Sequence, residues 1–74
     1  MVYEKPTDEE IETRFSYHAP KNDQAERYIL LRRKAGELAR DIVRHTPACD
    51  EQRRSLAALD VVVMLANAAI ARRE

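Results

Sequence analysis

The chain has 74 residues, one cysteine, and thirteen acidic and thirteen basic side chains, so its formal net charge at pH 7 is zero. Its length allows one domain, residues 1–74, whose core is so small that partner chains or covalent staples usually add to its stability. Cys49 has no disulfide partner, and His18 and His45 are too far apart for a metal-site spacing. The balanced charge disfavours long-range steering of DNA or RNA, so a bound anion is expected to be small.

The sequence gives no sign of export or of a membrane partner. The first ten residues, MVYEKPTDEE, contain no apolar run, so we expect no signal peptide. The longest uncharged run, residues 61–71, is shorter than a bilayer-spanning helix requires. A lone thiol fits a reducing compartment, and at Cys49 we expect a small, partly buried residue at a helix start. The predicted location is therefore the cytoplasm.

Three segments with helical character follow the three prolines of the chain, at Pro6, Pro20 and Pro47. Thr7 and Glu10 have the spacing of a capping box, which predicts a short acidic helix over about residues 8–15. A loop follows, over about residues 16–21. Asn22 or Asp23 is expected to cap the next helix.

Apolar residues at three-four spacing predict two long helices, over residues 23–45 and 49–72. The stripe of the first is formed by Tyr28, Leu31, Ala35, Leu38 and Ile42. The stripe of the second is formed by Leu56, Leu59, Val63, Ala66 and Ile70. Because Thr46 and Pro47 separate them closely, we expect an antiparallel hairpin.

The last predicted helix is apolar on all its faces between residues 61 and 71, where Asn67 is the only polar interruption. Such a helix is expected to be buried on all sides. One partner helix from the same chain cannot cover it. We therefore predict an all-α fold in which the hairpin assembles with other copies into a homo-oligomeric helical bundle. A dimeric four-helix bundle is the alternative assembly.

No constellation of residues predicts an enzyme. The chain lacks a glycine-rich phosphate loop, a serine nucleophile in a strained turn, and a histidine pair with a carboxylate at metal spacing. We expect no catalysis, no cofactor and no metal.

The segment over residues 15–28, FSYHAPKNDQAERY, holds three of the four aromatic residues beside several cations. Aromatic faces next to cationic side chains suit a planar ring that carries a phosphate. The alternative is a hydrophobic staple, in which Phe15 and Tyr17 pack the chain onto the following helix. Local chemistry leaves both interpretations open.

Two motifs, YHAPKNDQAERY and LANAAIARRE, resemble the hairpin domain of phage anti-defence sponges. These include the anti-CBASS cyclic-oligonucleotide sponge, and the anti-Thoeris sponge shares the domain. The resemblance covers about residues 14–73 and leaves the acidic N-terminal segment outside. It implies a compact homohexamer in the host bacterial cytoplasm that binds cyclic di- and trinucleotides of a bacterial immune cyclase. It also implies that the sponge sequesters these signals without cleaving them.

The resemblance also implies roles for individual residues. Tyr17 matches the aromatic residue that stacks on a base, and Arg32 matches a cation that faces the phosphates of a dinucleotide. Arg72 matches a position in a second pocket, for trinucleotides. Three further residues are carried over with less defined roles, two in the loop motif and one at the second pocket: His18, Lys21 and Lys34. Leu65 replaces a tryptophan of the usual pattern.

Two other functions remain as alternatives. The first is a small helical-bundle module for protein–protein interaction that has no nucleotide ligand. The second is a nucleic-acid-binding module, in which the basic residues between positions 27 and 44 would follow a backbone. Acidic residues interrupt that series, which disfavours it: Glu26, Glu37 and Asp41.

Overall fold

A computed structural model describes residues 4–74 of the chain. This part contains three helices and no strand, and the helices are α1 (Asp8–Phe15), α2 (Gln24–His45) and α3 (Asp50–Arg73). Each helix begins and ends within one residue of the bounds that proline placement and apolar spacing predict. The fold is therefore an all-helical hairpin of α2 and α3, preceded by a short helix.

The three helix starts use different capping groups. Thr7 Oγ1 accepts a hydrogen bond of 3.1 Å from the Glu10 amide, as the capping-box spacing predicts for α1. Asp23 is the N-cap residue of α2, as the sequence predicts, but its side chain makes no capping hydrogen bond. Gln24 Oε1, at the first helical residue, accepts from the Lys21 amide of the preceding loop at 3.1 Å. The backbone reaches this turn through Asn22, whose φ is 54°.

The start of α3 is capped by sulfur. Cys49 Sγ accepts a hydrogen bond of 3.4 Å from the Gln52 amide. Cys49 is exposed, so the prediction of partial burial is wrong. Gln52 in turn closes the hairpin turn, because its side-chain amide donates to the Thr46 carbonyl at 3.1 Å and to the Thr46 hydroxyl at 3.0 Å. Side-chain hydrogen bonds therefore fix the short connection between α2 and α3.

No apolar side chain of the described residues is buried, and the only buried residue is Gln24, at 3% exposure. On α3, four consecutive or near-consecutive apolar side chains are at least half exposed: Val61, Val62, Met64 and Leu65. On α2, Leu38 is 50% exposed although it belongs to the predicted apolar stripe. A single chain therefore brings the two stripes together without enclosing them.

The dimensions of the chain give the same result. A compact protein of 8.6 kDa exposes about 4700 Å², whereas this chain exposes 6420 Å². Its Cα radius of gyration is 16.1 Å, against about 11 Å for a compact domain of this length. Its extents are 45 × 38 × 17 Å, so one dimension is less than half of the other two. The isolated hairpin is therefore open and flat.

By length and composition, α3 is also apolar enough to cross a membrane. An 18-residue window within it has a mean hydropathy of 1.6, and none of that window is buried in the single chain. An 18-residue window of this kind includes up to two charged residues, so it is longer than the fully uncharged run of residues 61–71. Core helices of soluble proteins meet the same criterion. The absence of a membrane partner therefore stays a prediction.

Polar side chains join the open end of the hairpin. Gln24 Nε2 donates to the Ile70 carbonyl at 3.3 Å and to Glu74 Oε1 at 3.1 Å. Arg27 donates to both carboxylate oxygens of Glu74, at 2.5 and 2.7 Å. Lys21 Nζ donates to the main-chain oxygen of Glu74 at 3.1 Å. We call these residues, Lys21, Gln24, Arg27 and Glu74, the polar clamp. The hydrogen bonds from Arg27 and Gln24 lower the pKa of Glu74 to about 2.

The polar clamp predicts acid-sensitive stability. Because the pKa of Glu74 falls from 4.5 to about 2 on folding, the clamp stabilises the fold above about pH 4.5. This contribution is lost as the pH falls towards 2. At pH 7 we expect Glu74→Gln to melt below the wild type, and we expect the difference between their melting temperatures to vanish near pH 2. Circular dichroism melts at several pH values measure this difference.

The matched control is Asp41→Asn, on the exposed side of α2, which should melt like the wild type throughout. A difference between Glu74→Gln and the wild type that stays constant from pH 7 to pH 2 would contradict the assignment.

Candidate ligand-binding groove

A groove of about 410 Å³ opens between the segment that follows α1, the first turns of α2 and the end of α3. Two aromatic residues line it, Tyr17 and Tyr28. Three arginines line it as well, one from each helix: Arg14, Arg32 and Arg72. The volume lies within the usual range for small-molecule sites. Aromatic faces and fixed cations in one cavity suit a ligand that combines a planar ring with an anionic group.

The groove brings together four of the six residues that the sequence analysis proposed for ligand binding: Tyr17, His18, Arg32 and Arg72. The other two lie elsewhere. Lys21 belongs to the polar clamp. Lys34 Nζ lies 3.9 Å from the Glu37 carboxylate and borders an apolar cavity between α2 and α3. The structure also places Arg72 beside Arg32, although the sequence analysis assigned them to different pockets.

Tyr17 projects into solvent at the mouth of the groove. It is 86% exposed, and Phe15, the last residue of α1, is 81% exposed. The hydrophobic staple that the sequence analysis kept as an alternative is therefore not formed within the chain. An aromatic ring exposed to this extent gains little from its own chain, so both of its faces are available to stack on a ligand or on another copy.

His18 holds the segment behind Tyr17 against α1. Its Nε2 lies 2.7 Å from the Thr13 carbonyl oxygen. Because a carbonyl oxygen only accepts hydrogen bonds, this nitrogen carries a proton and donates. The ring is half-buried, and one of its two nitrogens is already engaged. The structure thus gives His18 a positioning function: it sets where Tyr17 emerges from the backbone.

The three arginines of the groove differ in how far they are neutralised. Arg14 lies 3.4 Å from the Glu10 carboxylate. Neither Arg32 nor Arg72 forms an ion pair with any residue from 4 to 74. Glu37, five residues after Arg32, contacts Lys34 instead. Arg32 is therefore the cation of the groove with the fewest competing contacts.

Polar contacts attach α1 to the end of α3. Arg73 donates to both carboxylate oxygens of Glu10, at 2.5 and 3.0 Å, and the hydrogen bond from Arg73 lowers the pKa of Glu10. Arg72 Nη2 donates to the Arg14 carbonyl at 3.2 Å. No residue of α1 is buried, and Ile11 is 43% exposed. The α1 side of the groove is therefore held by charge and hydrogen bonds rather than by apolar packing.

Six lining residues were not proposed as site residues by the sequence analysis, and three of them carry larger polar or aromatic side chains: Arg14, Tyr28 and Asn67. Tyr28 was assigned to the apolar stripe, although it lies one helical turn before Arg32 and so shares its face. Asn67 was noted only as an interruption of an apolar run. A search along the helical face that contains Arg32 would have found Tyr28, whereas Asn67 lies five residues before Arg72 and does not share its face. For Arg14 the sequence carries no comparable signal, because its position depends on how α1 docks.

The described residues thus form a small helical-hairpin protein with a groove that is aromatic and cationic, and they contain no group of three His, Cys, Asp or Glu side chains that could hold a metal. The family model described as "Acb2/Tad1, hairpin domain" matches residues 7–71. The chain belongs to this family, the anti-CBASS and anti-Thoeris sponge family that its motifs resemble. Comparisons with curated proteins and with solved structures gave no significant match.

The matched range corrects the extent of the resemblance. It begins at residue 7 and so includes the acidic helix α1, which the sequence analysis placed outside. It ends at residue 71, before Arg72, Arg73 and Glu74. Arg72 and Arg73, which contact α1, therefore lie beyond the matched range, and so does Glu74 of the polar clamp.

The Glu10–Arg73 contact predicts how firmly α1 is held. We expect Glu10→Gln to weaken this attachment, so that the amides of α1 exchange about twofold to fivefold faster with deuterium, while those of α3 do not change. Hydrogen–deuterium exchange with mass spectrometry measures this directly. Glu9→Gln, in the same turn of α1, is the control. Equal exchange of α1 in both variants would show that the ion pair does not hold the helix.

Proposed function

We propose that the protein is a phage sponge that binds cyclic di- and trinucleotides in the host bacterial cytoplasm and withholds them from the CBASS effector, without cleaving them. Membership of the Acb2/Tad1 hairpin family supports the sponge role. One observation carries the choice of ligand: the exposed ring of Tyr17 and the unpaired guanidinium of Arg32 line the same groove.

A cyclic dinucleotide matches the chemistry of this groove. Its bases are planar and stack on an aromatic side chain, which contributes about 1–3 kcal/mol per base in nucleic-acid complexes. Its phosphates accept charge-assisted hydrogen bonds from arginine, whose planar fork donates two at once. The ligand also has approximate two-fold symmetry. A pocket shared by two copies of the chain presents Tyr17 and Arg32 twice, so one set of residues serves both halves of the ligand.

Sequestration, rather than turnover, fits the side chains that line the groove. Guanidinium groups remain protonated at physiological pH, so they bind anions but do not remove protons. His18 already donates to the Thr13 carbonyl through Nε2. The three cations that line the groove favour retention of an anionic ligand, and we propose that the ligand is held intact. The proposal therefore predicts that the number of binding sites, and not a catalytic rate, limits how much of the signal the protein removes.

The exposed apolar surface of α3 supports self-association. Val61, Val62, Met64 and Leu65 are all at least half exposed in the single chain. Covering them with other copies would complete the core that the hairpin lacks. We propose a homohexamer, in which α3 helices pack together and the grooves of neighbouring copies face each other.

Self-association predicts a mass of about 52 kDa by light scattering in detergent-free buffer, six times the 8.6 kDa of one chain. Met64→Glu places a charge on the exposed apolar face of α3 and should dissociate the assembly. Glu51→Gln, at the start of α3, is the control and should leave the mass unchanged. A monomer at micromolar concentration would contradict the proposal, and a mass of two chains would favour the four-helix bundle. Solubility only in detergent would favour a membrane partner.

Ligand binding through the groove predicts a large effect of two substitutions. We expect Tyr17→Ala and Arg32→Ala each to weaken binding of a cyclic dinucleotide at least tenfold, which corresponds to about 1.4 kcal/mol. Arg32→Lys should retain part of the affinity because it keeps the charge but loses the planar fork. Isothermal titration measures the affinities. Chromatography after heat denaturation should recover the ligand intact.

The control for this experiment is Arg33→Ala, which removes an equal charge from α2 outside the groove. Each variant is first checked for its assembled mass. Arg72→Ala is titrated with both ligand types, because Arg72 lines the same groove in one chain although the family resemblance implies a separate trinucleotide pocket. Wild-type affinity in both Tyr17→Ala and Arg32→Ala would place the site elsewhere. Recovery of a linear product would show that the protein is an enzyme.

A further inference from the structure

We infer that α1 is part of the ligand site, because it brings Arg14 into the groove as a further contact for the phosphates of the ligand. The inference rests on the proposed function and extends the site beyond Tyr17 and Arg32. Arg14 lines the groove from α1, Arg32 lines it from α2 and Arg72 lines it from α3. Among the described residues that line the groove there is no aspartate or glutamate. The groove therefore collects positive charge from all three helices without a carboxylate in its wall.

The guanidinium group of Arg14 carries hydrogen-bond donors that the chain leaves unused. Its Nε lies 3.4 Å from Glu10 Oε1, but both oxygens of Glu10 accept their hydrogen bonds from Arg73. The Arg14 side chain itself donates no hydrogen bond to any residue from 4 to 74. It is 48% exposed, so a ligand can reach it. A guanidinium group has five N–H donors in a planar fork, which matches the oxygens of a phosphate.

The three arginines repel one another across the groove, since guanidinium groups stay protonated at physiological pH. Arg72 is partly compensated, because its Nη2 donates to the Arg14 carbonyl at 3.2 Å. Arg32 forms no ion pair with any residue from 4 to 74. A ligand with two phosphates places negative charge between these groups and removes the repulsion. Such a ligand contacts all three helices at once.

A ligand that contacts Arg14 also holds α1 in place. The contacts of α1 with α3 are polar, and no residue of α1 is buried, so the helix depends on few interactions. Binding and attachment are then linked: the factor by which docked α1 strengthens ligand binding is also the factor by which the ligand strengthens the docking of α1. Titration measures the first factor, and hydrogen–deuterium exchange of the α1 amides measures the second.

The test uses cyclic GMP–AMP as the probe, because it presents both purine bases and two phosphates. We expect Arg14→Ala to weaken its binding about threefold to tenfold, less than Arg32→Ala does, because the Arg14 side chain is half exposed. Arg14→Lys should recover part of this loss, since it keeps the charge. In the wild type, saturating probe should slow the exchange of the α1 amides by the same factor. In Arg14→Ala the probe should no longer protect α1.

Arg14→Ala keeps the contacts that attach α1 to α3. Arg72 donates to the main-chain carbonyl of residue 14, which the substitution retains. The contact between Glu10 and Arg73 also remains. Without probe, the α1 amides of the variant should therefore exchange as in the wild type. The control is Arg33→Ala, which removes an equal charge outside the groove and should preserve both the affinity and the protection of α1.

Binding of the probe without slower exchange of α1 in the wild type would overturn the inference and leave the sponge proposal standing, and this comparison needs no variant to fold. The inference is also wrong if Arg14→Ala binds the probe like the wild type, or if its α1 is still protected. A change in the assembled mass of Arg14→Ala would show that Arg14 contacts another copy of the chain instead. Failure of the wild type to bind the probe would overturn both proposals.

Discussion

The hydrogen bonds around Gln24 hold together the part of the protein on which everything else depends. Gln24 is the only buried residue in the described chain, and it is polar. Its side chain accepts from the Lys21 amide and donates to Ile70 and Glu74, so it joins the loop, the start of α2 and the end of α3. The groove lies beside this junction. A hairpin without an enclosed apolar core thus keeps the walls of its groove in register through a few directional contacts, which fix geometry more closely than apolar contacts do.

The exposed apolar face of α3 and the groove differ in character, and in the proposed function they have separate roles. The α3 face that carries Val62 and Met64 is apolar and open, so it favours contact with other copies but specifies no ligand. The groove is small, cationic and aromatic, and in the proposed function it recognises the ligand. In the proposed assembly the first surface provides the stability that the second lacks. A protein of 74 residues can then hold a charged, partly exposed site that a marginal core alone would not support.

Most of the fold could be predicted from the sequence, because apolar spacing and proline placement are local signals that α1, α2 and α3 obey within a residue. The sequence-based predictions that were wrong concern residues whose contacts depend on other parts of the chain. Asp23 is the N-cap of α2 as predicted but makes no side-chain cap, whereas the neighbouring Gln24 contacts Glu74, fifty residues further along the chain. All six proposed site residues were carried over from the family resemblance, and four of them meet in one groove. The other two, Lys21 and Lys34, each contact an oxygen outside the groove.

The attachment of α1 has a consequence for how the groove responds to its surroundings. Its contacts with α3, Glu10 to Arg73 and Arg72 to the Arg14 carbonyl, are exposed and are made by charged side chains. The Debye length shrinks from about 30 Å at 0.01 M salt to about 8 Å at physiological ionic strength, and exposed charge contacts weaken with it. Apolar contacts on α3 respond in the opposite direction when strongly hydrated salts are added. Added salt therefore loosens the α1 wall of the groove, while strongly hydrated salts strengthen the proposed assembly through α3.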